Sequence, residues 1–246
     1  MRVYIEDNYE KMSERAAAIV IEQIKSKPDS TLGLATGDTV LGLYRLLINE
    51  YKAKRISFKR VKSVNLDEYI GLPRENENSY YYYMNENFYK HIDIDRNNTY
   101  IPNGMAEDLE EECRQYEKII ERLGGIDLQV LGIGVNGHIG FNEPGTPIDS
   151  VTQRVKLKES TIIANSRFFR SVDEVPREAL TMGIKTIMKS RKIILLASGE
   201  KKAQAIQRLI EGRVHPEAPA SILQLHPDAS IIVDKEAASL LKRNPS

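Results

Sequence analysis

A chain of 246 residues with one cysteine, Cys113, has no partner for an internal bridge. That excludes a disulfide framework and makes a reducing compartment the expected setting. Net charge is missing as well, since 35 Lys and Arg balance 35 Asp and Glu. Nucleic-acid binding draws on a surplus of basic side chains gathered on one face, so no nucleic-acid partner is expected. Long apolar runs are also absent: the longest aliphatic stretch is about one strand long, too short to span a bilayer. Acidic Glu6 and Asp7 fall where a signal peptide would need an unbroken apolar segment. The expectation is a cytoplasmic protein with no membrane span. The four histidines, His91, His138, His215 and His226, are scattered without the H-x-x-x-H spacing of a metal-binding helix.

What is present is an apolar content of 41% without net charge, the reverse of a disordered composition. Short β-type runs alternate with helical patterns, which is how a mostly parallel sheet with covering helices reads in sequence. Strands are expected at Arg2–Ile5, Thr31–Ala35, Val61–Leu66, Asp127–Leu131, Lys192–Ala197 and Ser230–Val233. Between them Met12, Ala16, Ile19, Val20 and Ile24 recur at helical spacing until Pro28. Ser79 caps a helix carrying Tyr80 to Tyr83, most of them packing residues, and Glu107–Leu123 forms a helix stopped by Gly124-Gly125. Cys113 on that helix reads as a packed thiol. With no repeat, linker or composition break, one α/β domain over residues 1–246 is expected.

In such a sheet the loops that follow the strands converge on one edge, where helix N-termini offer free N–H groups and partial positive charge. Four segments stand there: 36–39, 65–71, 132–145 and 198–201. Gly132-Ile133-Gly134-Val135-Asn136-Gly137 matches the G-x-G-x-x-G dinucleotide fingerprint by letter. Two prolines and two further glycines in residues 138–147 prevent the helix that the fingerprint requires, so NAD is not expected. Polar Asn136, His138, Asn142 and Glu143 are interleaved with these glycines. A loop folding back can bring Glu143 to one nitrogen of His138, fix its tautomer and raise the proton affinity of a group whose ordinary pKa is about 6.5.

Asp67 and Glu68 directly follow an apolar strand. A carboxylate at such a point serves as a metal ligand, a helix cap or a general base; metal is the least favoured, and the segment alone does not separate the other two. Thr36-Gly37-Asp38-Thr39 lies between strand and helix, where amides and hydroxyls can hold a phosphate. It lacks the Lys of a Walker A loop, and Asp38 is an awkward neighbour for an anion. Ser198-Gly199-Glu200-Lys201 places a cation at a helix start, which the helix dipole disfavours unless a ligand supplies negative charge. Ser166-Arg167-Phe168-Phe169-Arg170 is the pattern of an arginine that grips phosphate from a lid, or of a surface helix anchored by phenylalanines.

Taken in order, Asn65 to Pro73, Gly134 to Pro144, Ala164 to Phe169 and Leu223 to Pro227 resemble the glucosamine-6-phosphate deaminase (isomerising) family over most of the chain. The resemblance implies a Rossmann-like three-layer α/β/α sandwich with a mostly parallel sheet, and a lid within about residues 155–185. It implies conversion of glucosamine 6-phosphate and water to fructose 6-phosphate and ammonia in amino-sugar catabolism, with no metal or organic cofactor. By position, Asp67 is similar to the base that moves a proton between C2 and C1, and His138 to the group that assists ring opening at O5, oriented by Glu143 and beside Asn136. Arg167 and Lys201 resemble the phosphate-gripping cations, helped by Thr36, Gly37 and Thr39, with the sugar over Gly137.

The chain also departs from that pattern. Well-known members have Asp where Asn136 stands, and Gly or Ser and Pro where Asp38 and Val40 stand. Allosterically activated hexameric members have basic residues where Gln153 and Val155 occur and a longer C-terminal segment than one ending at Ser246, so no such activation is expected. A monomer or small homo-oligomer acting on a hexosamine phosphate is the resulting expectation. The competing readings are a 6-phosphogluconolactonase, a deaminase preferring galactosamine 6-phosphate, and a non-catalytic sugar-phosphate sensor. The last would carry an attached DNA-binding helix-turn-helix, for which a strand starting at Arg2 leaves no room.

Overall fold

The computed structural model describes residues 1–242, so Ser246 lies outside the described residues. The strands are β1 (Arg2–Glu6), β2 (Thr31–Leu34), β3 (Lys62–Asn65), β4 (Asp67–Tyr69), β5 (Thr99–Tyr100), β6 (Leu128–Leu131), β7 (Gln153–Lys156), β8 (Glu178–Thr181), β9 (Lys192–Ala197) and β10 (Ala229–Asp234). The helices are α1 (Tyr9–Ser26), α2 (Leu41–Lys52), α3 (Tyr80–Asn87), α4 (Leu109–Arg122), α5 (Glu159–Asn165), α6 (Ile184–Met188) and α7 (Ala203–Glu211). Among the described residues seven strands pair in parallel in the order β1-β10-β9-β6-β2-β3-β5. Every residue of β2, β6 and β10 is buried, which requires cover on both faces of the sheet. This is the expected Rossmann-like α/β/α sandwich.

The helices form where the sequence supplies both a cap and an apolar stripe. Asn8 accepts from Lys11 N at the start of α1, and Met12, Ala16, Val20 and Ile24 are buried at successive helical turns. Asp108 caps α4 through Glu111 N, and Gly124 and Gly125, both at φ +82°, end it in the left-handed region that favours glycine. Its buried residues are Cys113, Tyr116 and Ile120. Burial, then the charges of Glu110 and Glu112, push the Cys113 thiol up to about 11, so it is an inert packed group.

The run expected as one strand from Val61 to Leu66 continues as two strands in two sheets. β3 ends at Asn65, and Leu66 is the switch: its N–H donates to Leu34 O in the large sheet at 3.1 Å, while its C=O accepts from Met182 N at 2.7 Å. β4 then joins an antiparallel sheet of order β4-β8-β7, with Asp67 opposite Thr181. β5, β7 and β8 are absent from the sequence reading. β7 is four residues long, Gln-Arg-Val-Lys, and its two exposed positions are charged, which leaves little apolar signal.

At the sheet end away from these loops, buried Asp127 joins four elements. Its carboxylate accepts from Thr31 N at 2.9 Å, from Lys27 Nζ at 2.8 Å and from Arg191 Nη1 at 2.6 Å. Burial alone would raise its pKa, but the Lys27 and Thr31 hydrogen bonds hold it below the usual carboxylate value. Removing the carboxylate strands the buried Thr31 N–H, whereas both cations still reach water. Asp127→Ala is therefore expected to lower the unfolding free energy by about 2 kcal/mol in urea titrations. Asp127→Asn, which keeps an acceptor, should recover part of that loss.

Candidate active site

Strand alternation sends neighbouring side chains to opposite faces, and at the start of β4 this separates two acids. Glu68 turns toward α3. Its Oε1 accepts from Tyr69 N at 2.8 Å and Tyr80 N at 2.9 Å, and its Oε2 accepts from Tyr81 N at 2.9 Å. Burial lifts its pKa to about 7 against these donors. Glu68 is thus the cap, joined at that helix start by Ser79, whose hydroxyl accepts from Tyr82 N. Asp67 faces the other way, 6% exposed, and its pKa is pushed well up by burial and then by the charge of Glu68, with no hydrogen bond among the described residues to offset either. The two roles that the sequence could not divide fall to adjacent residues.

The 132–145 loop passes this carboxylate at Gly140. No helix follows the glycines; instead Gly134 N donates to His138 O at 2.9 Å, and Ile139 pairs with Asn142 in a tight reversal. A Cβ on Gly134 would lie 2.2 Å from His138 Cε1, so the bare glycine is what lets the imidazole lie against the backbone. Gly140, at φ +56°, plays a similar part toward β8: a Cβ there would crowd Thr181 Oγ1 at 2.9 Å, and it would lie in ordinary contact with Asp67 Oδ2 at 3.6 Å. The Thr181 hydroxyl accepts from Phe141 N at 3.0 Å, and Asn142 Nδ2 donates to Ile139 O at 2.9 Å and Met182 O at 2.7 Å. Gly137, at φ +89°, is buried, and its carbonyl accepts from Ala220 N at 3.0 Å.

Glu143 is the hub of this loop. Its Oε2 accepts from Asn136 Nδ2 at 2.6 Å and lies 3.6 Å from His138 Nδ1, a charge contact longer than a hydrogen bond. Its Oε1 accepts from the hydroxyl of Thr161 on α5. Burial alone would raise the Glu143 carboxyl, but His138, Thr161 and Asn136 together hold it at about 2. Asn136 also accepts from His138 N at 3.1 Å through its Oδ1, so it fixes both the acid and the loop without carrying charge.

Cations gather at a second point. The turn 36–39 is held by tyrosines, with Tyr83 OH donating to Gly37 O at 2.8 Å and Tyr9 OH to Asp38 O at 3.0 Å. Thr36 is half-buried at the start of the turn, Gly37 has φ +99°, and Thr39 lies half-buried in the 3₁₀ turn Asp38–Val40. Arg167, on the turn after α5, is exposed and pairs with Asp38 at 2.8 Å. Lys201, the phosphate cation of the sequence reading, is exposed, and its neighbour Lys202 is the lysine turned inward. Lys202 Nζ donates to Ile133 O at 2.7 Å, and burial followed by repulsion from Arg167 lowers its pKa. The reason is phase. A 3₁₀ turn spans Glu200–Lys202 after Gly199, and side chains three apart in such a turn eclipse, which carries residue 202 back over the strand end.

The segment expected as a lid holds the end of β7, α5, β8 and the start of α6. From α5 onward it is tied down by Thr161 on Glu143, by Asn165 Nδ2 donating to Tyr69 OH at 2.8 Å, and by the Phe169 ring edge-on to Tyr69 at 5.9 Å. Tyr80 stacks on Phe141 at 6.0 Å and 8°, closing the layer beneath it. Sequence reasoning missed Lys202, Thr161 and Gly140; the second lysine of the pair and the glycine two residues after His138 were the available signals, and Thr161 left none. His226 is buried and structural: Nε2 donates to Ser190 O at 2.8 Å and Nδ1 accepts from Asp228 N at 3.1 Å. Among the described residues no group of three or more His, Cys, Asp or Glu converges as for a metal, and no helix is long and apolar enough to cross a membrane.

The sequence profile of the glucosamine-6-phosphate isomerases/6-phosphogluconolactonase family matches residues 6–232. The chain belongs to that family. It is 58% identical over 242 residues to a glucosamine-6-phosphate deaminase of Clostridium botulinum strain Langeland, covering 98% of this chain and 99% of the relative. A second glucosamine-6-phosphate deaminase, from Thermoanaerobacter pseudethanolicus, is 58% identical over 241 residues, covering 98% of this chain and 95% of the relative. A solved structure described as a monomeric glucosamine-6-phosphate deaminase superposes with a TM-score of 0.96 at 52% identity, covering 98% of this chain and all (100%) of that one. A 6-phosphogluconolactonase from Trypanosoma cruzi, at 20% identity and a TM-score of 0.80 over 98% of this chain and 97% of its own, shares the fold.

The depressed Glu143 pKa carries a sign. A carboxyl held at about 2 in the folded protein against 4.5 ordinarily contributes stability above pH 4.5, and that contribution is lost as pH falls toward 2. Chemical denaturation between pH 5 and about pH 2.5 should therefore show a smaller acid loss for Glu143→Gln than for the native chain.

Proposed function

We propose that the chain converts glucosamine 6-phosphate and water to fructose 6-phosphate and ammonia, a step of amino-sugar breakdown. The observation that carries this reading is Asp67: a buried carboxylate of raised proton affinity, free of hydrogen bonds among the described residues, against the bare Gly140 of the loop that holds His138. A base needs such an affinity to remove a proton from carbon near neutral pH. Full-length similarity to relatives named for this activity supports the same reading.

The site residues take the following roles. The phosphate binds between Arg167 and Lys202, with the Thr36, Gly37 and Thr39 turn alongside, and the sugar lies over Gly137. His138, with Glu143 and Asn136 behind it, transfers the proton that opens the ring at O5. The open-chain aldehyde acidifies C2–H, and Asp67 removes that proton to give an enolamine. Returning the proton to C1 gives the 2-imine, which water hydrolyses to the ketose and ammonia. Residues of α5 and the following turn act as a lid, since Thr161 and Arg167 reach the two ends of the site from one short segment. A monomer or small homo-oligomer in the cytoplasm fits the buried lone thiol and the likeness to a protein described as monomeric.

Ammonia release from glucosamine 6-phosphate tests the activity, with galactosamine 6-phosphate run beside it for the C4 epimer. No ammonia from either hexosamine, with hydrolysis of a sugar-phosphate lactone instead, would move the chain to the other branch of its family. Asp67→Asn should lose about 10²- to 10⁴-fold in kcat while still binding a phosphosugar. Arg167→Ala and Lys202→Ala should act mainly by raising KM, whereas Lys201→Ala should leave both constants near native, a contrast that steady-state kinetics reads directly.

A further inference from the structure

The pair between Asp38 and Arg167 is out of place in a site for an anion. Arg167 Nη2 lies 2.8 Å from Asp38 Oδ2, with the two side chains 64% and 53% exposed. Asp38 caps no helix: it opens the 3₁₀ turn without a side-chain bond to it. Its position is nevertheless fixed, because Tyr9 holds its carbonyl and Tyr83 holds that of Gly37. Across from Asp38 stands Arg167, which is itself near enough to the half-buried Lys202 to repel it. Without a ligand, Asp38 supplies the negative charge that Arg167 faces.

We propose that Asp38 is an internal competitor for the phosphate of the substrate: it holds Arg167 in the empty site, yields it to a phosphate monoester, and thereby sets how tightly the site grips its anion. This rests on the reading of the site as one for a sugar phosphate. An exposed Arg–carboxylate pair is weak, so a dianion that also meets Lys202 displaces it. Binding must therefore give up the attraction of the Asp38–Arg167 pair, and for two charges a few ångströms apart in a water-like medium that cost weakens binding by roughly three- to tenfold. Asp38 is in this sense an affinity-setting residue; it touches neither the reacting carbons nor the proton carriers.

The test measures the dissociation constant of inorganic phosphate by calorimetry, and KM and kcat for glucosamine 6-phosphate, in four proteins: native, Asp38→Asn, Arg167→Ala and the double variant. Asp38→Ser is carried as a second replacement should Asn fold poorly. Asp38→Asn should bind phosphate about three- to tenfold tighter with a matching fall in KM, and in the Arg167→Ala background the same change should gain less than about twofold. Unchanged or weaker phosphate binding in a folded Asp38 variant overturns the proposal. So does an equal gain in both backgrounds, which would make Asp38 a general repulsive charge and not a competitor for Arg167. Tighter phosphate binding in a protein that releases no ammonia would uphold this inference and reject the proposed activity.

Discussion

A carboxylate almost wholly withdrawn from water without a protein hydrogen bond is destabilising, and among the described residues Asp67 is such a group. Much of the surrounding structure exists to hold it there. The chain leaves the large sheet at Leu66 so that Asp67 can start a strand of the small one. Glu68, one residue on, is anchored by three backbone N–H groups, and this fixes the strand in register and rotation. Gly140, in contact distance of Asp67, leaves open the space that a Cβ would take from Thr181 opposite it. The same acid that fixes the strand also adds its charge to the burial that raises the Asp67 proton affinity. Position and basicity therefore come from one arrangement.

The site has two electrostatic ends of opposite character. At one, Glu143 is kept ionised by the donors around it, so that His138 faces a permanent negative charge whatever the pH near neutrality. At the other, Arg167 and Lys202 form a positive end tempered by Asp38. A short stretch of chain, α5 and the turn after it, contributes Thr161 to the first end and Arg167 to the second. Relatives at about 20% identity keep the same sheet, so chemistry in this family is decided by side chains on the loops and not by the framework.

Much of the framework is legible in the sequence because buried parallel strands are written as apolar runs; Lys192–Ala197 is read residue for residue. The small sheet is not, since Glu178–Thr181 and Gln153–Lys156 are short and partly charged, and β4 begins with two acids. The polar groups interleaved with glycines at 132–145 stand out for a physical reason: a structural turn has no use for a histidine and a carboxylate five residues apart. By contrast, whether Asp67 or Glu68 caps α3 depends on which face of a three-residue strand looks inward, and that is set by pairing with β8. The choice between Lys201 and Lys202 turns on the phase of one 3₁₀ turn, which neighbouring residues of the same type cannot reveal. Thr161 matters only because the chain folds back on Glu143, a contact between segments 18 residues apart.

The small antiparallel sheet bears on how this fold can be recombined. β7 and β8 flank the segment that carries Thr161 and Arg167, and β8 is zipped to the strand that bears Asp67. A chimaera that took residues 153–181 from a distant homologue would splice a foreign β8 against native Asp67–Tyr69 and alter the seat of the aspartate together with the cover above it. The module that evolution or an engineer can exchange intact is discontinuous in sequence: it consists of both stretches at once.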